Sequence, residues 1–201
     1  MITTENFFEQ QIVLEDELVR IEPLEEKHFE LLLPTAMQPS LWLFTLAKID
    51  SPESFRKYFD TALVEERAKR SYPFAYFDKQ KQQYVGSTRF GNIEFAHKKV
   101  EIGWTWIHPS LQGTGFNKHC KFLLLRFGFE TLGLNRIELK TSLLNLKSQK
   151  AMRKIGATQE GIFRKNFVND DGTLRDTVYF SFISDEWPEI KQNIFKEFIE
   201  S

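Results

Sequence analysis

The chain has 201 residues, which suits one domain with one substantial core. Hydrophobic residues make up 41% and charged residues 27%, an ordinary balance for a globular protein, and the formal net charge is −1. That charge excludes a broad cationic field for a nucleic acid backbone, and no apolar run reaches the length of a membrane span.

Residues 1–12 read as a loosely attached leader before a single domain over 13–201. The leader lacks the apolar segment of a signal peptide. Cys120 is the one cysteine, so no intrachain disulfide can form, and a cytoplasmic location is expected. Cys120 itself reads as a small buried helix residue. Residues 18–21 form a short strand, broken by Glu22-Pro23. Residues 24–33 carry a helical apolar spacing, with His28 expected on the exposed side. No second metal-type ligand stands at useful spacing from His28, so no metal site is expected. Ser51-Pro52-Glu53-Ser54 starts a helix that runs to about residue 70.

Strands over 72–77, 83–95 and 100–107 form an antiparallel meander. Trp104 and Trp106 would share one face of the last, a regular strand. Residues 116–131 then form a helix that is apolar on more than one side and therefore buried. A strand over 136–140, a helix over 145–155 and strands over 159–168 and 173–183 follow, with a turn at 169–172. Residues 187–198 read as a terminal helix. The order is mixed α/β in one domain. Twenty phenylalanines supply a core, and with the terminal helix they also offer a homodimer interface.

The chemistry gathers at Gln112-Gly113-Thr114-Gly115-Phe116-Asn117. A glycine loop feeding a helix start is an anion site, because unpaired N–H groups and the helix dipole point there. The loop lacks the Gly-Lys-Ser/Thr ending of a Walker loop, and Lys118 stands where a dinucleotide loop has its third glycine. Alone, Gly-Thr-Gly also reads as a plain turn.

The loop resembles the Q/R-x-x-G-x-G/A pyrophosphate loop of GNAT N-acetyltransferases, with Asn117 where a small residue is usual. Asn145-Leu146-Lys147-Ser148 resembles the N-x-x-S of that superfamily, and 151–157 its helix-ending segment. Glu160-Gly161-Ile162-Phe163-Arg164 and Glu101-Ile102-Gly103-Trp104 look like the branch that contains the ribosomal-protein N-terminal acetyltransferases.

The resemblance implies a mostly antiparallel sheet in which two parallel strands splay and the pantetheine arm of acetyl-CoA lies between them. The pair would be the strand ending at Ile107 and the strand at 136–140. Main chain at Trp106 and Ile107 would hold the arm. Gln112 to Lys118 and Asn145 would complete the cofactor site, with Lys121, Lys150 and Arg153 as further phosphate contacts or as a solvated face. Ser148 would donate to the leaving thiolate. Glu101 would be the base, or an ordinary strand carboxylate. The acceptor would be a peptide N-terminus or a small amine. The alternative is a non-catalytic acyl-CoA-binding sensor or scaffold.

Overall fold

The run Tyr-Pro-Phe-Ala-Tyr-Phe has no polar side until its end, and it forms strand β3 (Tyr72–Asp78), buried on both faces. The computed structural model describes residues 2–199. Around β3 lies an 8-stranded sheet. The other strands are β1 (Leu14–Glu15), β2 (Val19–Pro23), β4 (Gln83–Glu94), β5 (Lys99–Ile107), β6 (Arg136–Ser142), β7 (Thr158–Val168) and β8 (Leu174–Ile183). Their spatial order is β1-β2-β3-β4-β5-β6-β8-β7. Neighbours run antiparallel except β5 and β6, which are parallel.

Helices α1 (His28–Ala36) and α2 (Pro52–Arg67) cover one face, with Phe55, Phe59 and Trp42 packed over Trp106 of β5. Helix α2 starts as the sequence expects: Ser51 Oγ accepts from Ser54 N at 3.2 Å, and Ser54 Oγ accepts from Ser51 N at 3.0 Å. On the other face, α3 (Phe116–Arg126) and α5 (Trp187–Ile194) bury Cys120, Phe122, Leu124 and Phe195 against Val100, Ile102, Ile137 and Phe180. Helix α4 (Leu146–Lys154) follows β6. The mixed α/β single-domain architecture expected from the sequence is the one observed. The expected helix over 116–131 changes character at its end, where Phe127–Thr131 is a π turn.

Three expectations are corrected. The leader is not loose over its described part: Phe7 and Ile12 are fully buried, and the Tyr72 hydroxyl donates to Gln10 O at 2.7 Å. Met1 lies outside the described residues. His28 is not exposed but fully buried. Its Nδ1 accepts Glu25 N–H at 2.8 Å and its Nε2 donates to Glu22 Oε1 at 3.0 Å, so it satisfies an N–H in the turn that leads into α1. Burial, only partly countered by Glu22, lowers its pKa. Finally, β5 is not a regular strand. Its register to β4 shifts between Ser87 and Arg89, and Trp104 takes φ +52°. This bulge leaves Trp104 40% exposed while Trp106 is packed away.

Candidate active site

Strands β5 and β6 pair only through Lys99↔Arg136, Val100↔Ile137 and Glu101↔Glu138. Beyond Glu101 they part. From Ile102 to Ile107, β5 keeps β4 on one side and has no strand on the other. Main-chain groups on that free edge therefore lack ladder partners and are available to a ligand that lies along them. Trp106 and Ile107 stand on this stretch, both with buried side chains, so the main chain is what they offer the gap.

At the end of β5 the chain turns through His108, where Pro109–Leu111 forms a single 3-10 turn, and then enters the glycine loop. Gly113 takes φ +84° and Gly115 φ +98°, conformations that disfavour any side chain. A Cβ at either would meet nothing within 4 Å, so open space adjoins both. The N–H groups of Gly113, Gly115 and Asn117 have no acceptor among the described residues. Thr114 Oγ1 donates to Leu111 O at 2.8 Å and accepts Phe116 N–H at 3.4 Å, which fixes the loop. Phe116 itself is buried against Tyr76, so only its main chain belongs to the loop surface. Asn117 Oδ1 is buried without a partner. Donors face outward at a helix N-terminus, and the space before them is free. That arrangement fits a phosphate.

Gln112 ties this loop to α4. Its Nε2 donates to Ile107 O at 3.2 Å, and its Oε1 accepts from Lys147 Nζ at 2.5 Å. Lys147, which sequence reasoning passed over, is the cation held at the loop. Lys118 instead turns to the C-terminal segment, where it pairs with Glu197 and lies over the Phe195 and Phe198 rings.

Asn145 caps α4: its Oδ1 accepts Ser148 N–H at 3.0 Å. Ser148 is half-buried at this first turn, and its hydroxyl makes no hydrogen bond among the described residues. Its backbone is held while its Oγ is free. Glu101 sits at the point of parting, 3% exposed. Its Oε2 accepts from Asn92 Nδ2 at 2.5 Å and from Lys140 Nζ at 2.8 Å. Its Oε1 lies over Gly103, where a Cβ would come within 2.7 Å. One oxygen is thus engaged, and any side chain at Gly103 would crowd the other.

Sequence reasoning passed over Asn92 and Lys140 as functional neighbours, and it placed Lys121 among phosphate contacts or on a solvated face. Lys121 is not on a solvated face: it is 4% exposed, and its Nζ donates to Thr105 Oγ1 at 3.0 Å. Its place between Cys120 and Phe122, on a helix apolar on more than one side, was the available signal. Lys140 and Asn92 left none, since cross-strand register decides their contact. Among the described residues, Asp16, Glu17 and His119 bring metal-type donor atoms within 4.8 Å of one another, but His119 Nδ1 and Asp16 Oδ2 are 2.7 Å apart, a hydrogen-bond spacing. Burial pushes the Cys120 thiol well up, so it stays a neutral core residue. No helix of the described residues is long and apolar enough to cross a membrane.

The acetyltransferase (GNAT) domain family matches residues 19–158. A Bacillus subtilis (strain 168) protein named "Putative ribosomal N-acetyltransferase YdaF" is 30% identical over 167 residues, 81% of this chain and 87% of its own. A GCN5-related N-acetyltransferase from Brucella melitensis superposes with a TM-score of 0.84 at 27% identity, over 91% of this chain and 83% of its own. The ribosomal-protein-S5-alanine acetyltransferase from Vibrio fischeri, 19% identical, shares the fold with a TM-score of 0.71 over 88% of this chain and 98% of its own. Family match, shared fold and the parted strand pair agree, and the chain belongs to the GNAT family as an N-acetyltransferase.

Proposed function

We propose that the protein transfers the acetyl group of acetyl-CoA directly to a primary amine in the cytoplasm. The observation that carries this reading is the parting of β5 from β6 directly before the glycine loop. A pyrophosphate at the loop and an arm along the free edge of β5 place a thioester near the parting, between Glu101 and the start of α4. The phosphates are held by main-chain N–H groups of Gly113 to Asn117, with Lys147 through Gln112 nearby. Lys118 joins them only by exchanging Glu197 for phosphate.

The acceptor amine must be neutral to attack, and model values are about 7.7–8.0 for an α-amine and about 10.4 for lysine. Glu101 takes the proton through a water at Oε1, since Oε2 is occupied by Asn92 and Lys140. The amine nitrogen attacks the thioester carbonyl, a main-chain N–H on the free edge of β5 supports the oxyanion, and the carbon–sulfur bond breaks. The proton that the nitrogen sheds on acylation passes to the departing sulfur, and the free hydroxyl of Ser148 hydrogen-bonds to that sulfur as it leaves. Amine and thioester meet by proximity, with no covalent enzyme intermediate. The relatives named for ribosomal acetylation support a peptide α-amine over a small amine.

The test is thiol release from acetyl-CoA across a panel of amines that includes peptides. Release that depends on one acceptor class supports transfer and identifies the acceptor. Acetyl-CoA binding without release on any amine supports the sensor or scaffold instead.

A further inference from the structure

Helix α3 buries a cation that it does not pair. Lys121 is 4% exposed, with Cys120 and Phe122 beside it in the core. Burial lowers its pKa to about 8, and no carboxylate offsets that. An ammonium carries three donors, and the protein accepts one of them, through Thr105 Oγ1 at 3.0 Å. Thr105 is shared: its Oγ1 also lies 2.7 Å from Thr88 Oγ1, which reaches Gly103 O at 3.1 Å. The Tyr76 hydroxyl lies against the same two threonines without a well-aligned bond.

Thr105 is exposed and stands on the part of β5 that β6 has left. A single threonine therefore joins the buried ammonium to the gap. Holding a charge out of water with most of its donors unmet is costly unless a ligand supplies acceptors.

We propose that Lys121 is a donor-binding residue, and that the acyl-CoA arm lying along the free edge of β5 supplies the acceptor its ammonium lacks. This rests on the acetyl-CoA reading given above. An acceptor favours the charged form of the amine, so binding and protonation are linked. The neighbouring titratable groups do not compete. Burial pushes both Cys120 and Tyr76 well up, so they stay neutral near pH 8. The Asp16 carboxylate, which acts on Cys120, is bonded to His119 at 2.7 Å. Acetyl-CoA has no free thiol to ionise in that range.

The experiment is calorimetric titration of the full chain with acetyl-CoA at pH 8, in buffers of different ionisation enthalpy. The parent is expected to take up roughly half a proton per site, as a group half-charged when free becomes fully charged when bound. Lys121→Met is expected to bind about tenfold more weakly, with that uptake gone. Lys121→Arg, permanently charged, is expected to bind without uptake, and it carries the test should the methionine variant not fold. Equal uptake in parent and variants, or none in the parent, would overturn the role of Lys121 and leave the donor site intact. Absence of acetyl-CoA binding by the parent would overturn the donor-site reading itself.

Discussion

Lys140 Nζ lies 2.8 Å from Glu101 Oε2, so the last paired residue of β5 is tied by its side chain to the strand it is about to leave. The pair sits at the crotch of the parting, and Asn92 Nδ2 completes the same oxygen. Lys140→Met should leave a buried carboxylate short of a partner and destabilise the fold by about 1–3 kcal/mol. Urea midpoints of parent and variant measure this. Glu101→Gln should keep the fold and lower turnover by about a hundredfold, read as thiol release.

At Gly115 the reasoning is conformational and steric together. With φ +98° a side chain is strained there, and it would project into space that is open in the protein. Gly115→Trp should weaken acetyl-CoA binding by about a hundredfold or more, about 2.8 kcal/mol. Calorimetric affinity equal to the parent's would remove the loop from the donor site.

Ser148→Ala separates chemistry from scaffold. The cap of α4 uses the backbone N–H of Ser148, which alanine keeps. Thermal stability and acetyl-CoA affinity should therefore hold, while turnover falls by about a hundredfold. Asn145→Ala is the contrast: it removes the cap acceptor and should cost about 1 kcal/mol of stability. Unchanged turnover in Ser148→Ala would take the hydroxyl out of the mechanism.

Buried His28 makes stability depend on pH. Its folded pKa lies below the ordinary value near 6.5, so the unfolded chain binds the proton first as pH falls. The contribution is whole above about pH 6.5 and is lost below it. Glu22 adds to this at lower pH. Burial raises its pKa, but hydrogen bonds from Tyr84 and His28 outweigh that and lower it, so its contribution is lost as pH falls below about 4.5. Melting temperatures should drop from pH 7.5 to pH 5.5 in the parent. In His28→Gln the drop over that interval should be smaller, from a lower starting value.

Most of the element order was legible because periodicity and turn residues are local signals. Pro52 after Ser51, the turn at 169–172 and the apolar runs of the meander each act within a few residues. The glycine loop and the helix start after it were legible for the same reason. What escaped was set by partners distant in sequence. The ladder to β4 gives no warning of the bulge at Trp104, and the Glu101–Lys140 contact depends on parallel register across an intervening helix. His28 looked like a surface residue because the groups that bury it, Glu22 and Tyr84, lie in other elements. Lys118 stands beside the glycine loop in the sequence, and its pairing with Glu197, 79 positions away, is visible only in the fold.

The C-terminal segment runs the length of α3. Glu197 and Phe198 meet Lys118 and His119 in its first turns, the Phe195 ring lies tilted against Phe122 with centroids 5.4 Å apart, and Trp187 Nε1 and Lys191 Nζ both donate to Glu130 Oε1 at 2.8 Å. The helix that the glycine loop opens into is thus braced along its outer side by residues 187–198. Two events on one rigid helix are thermodynamically coupled, and the coupling is reciprocal. A ligand seated at the loop should slow proteolytic nicking of residues 187–198, and detaching that stretch should weaken binding of the ligand. With that result, the tail would report occupancy of the loop to a protease, with no label needed.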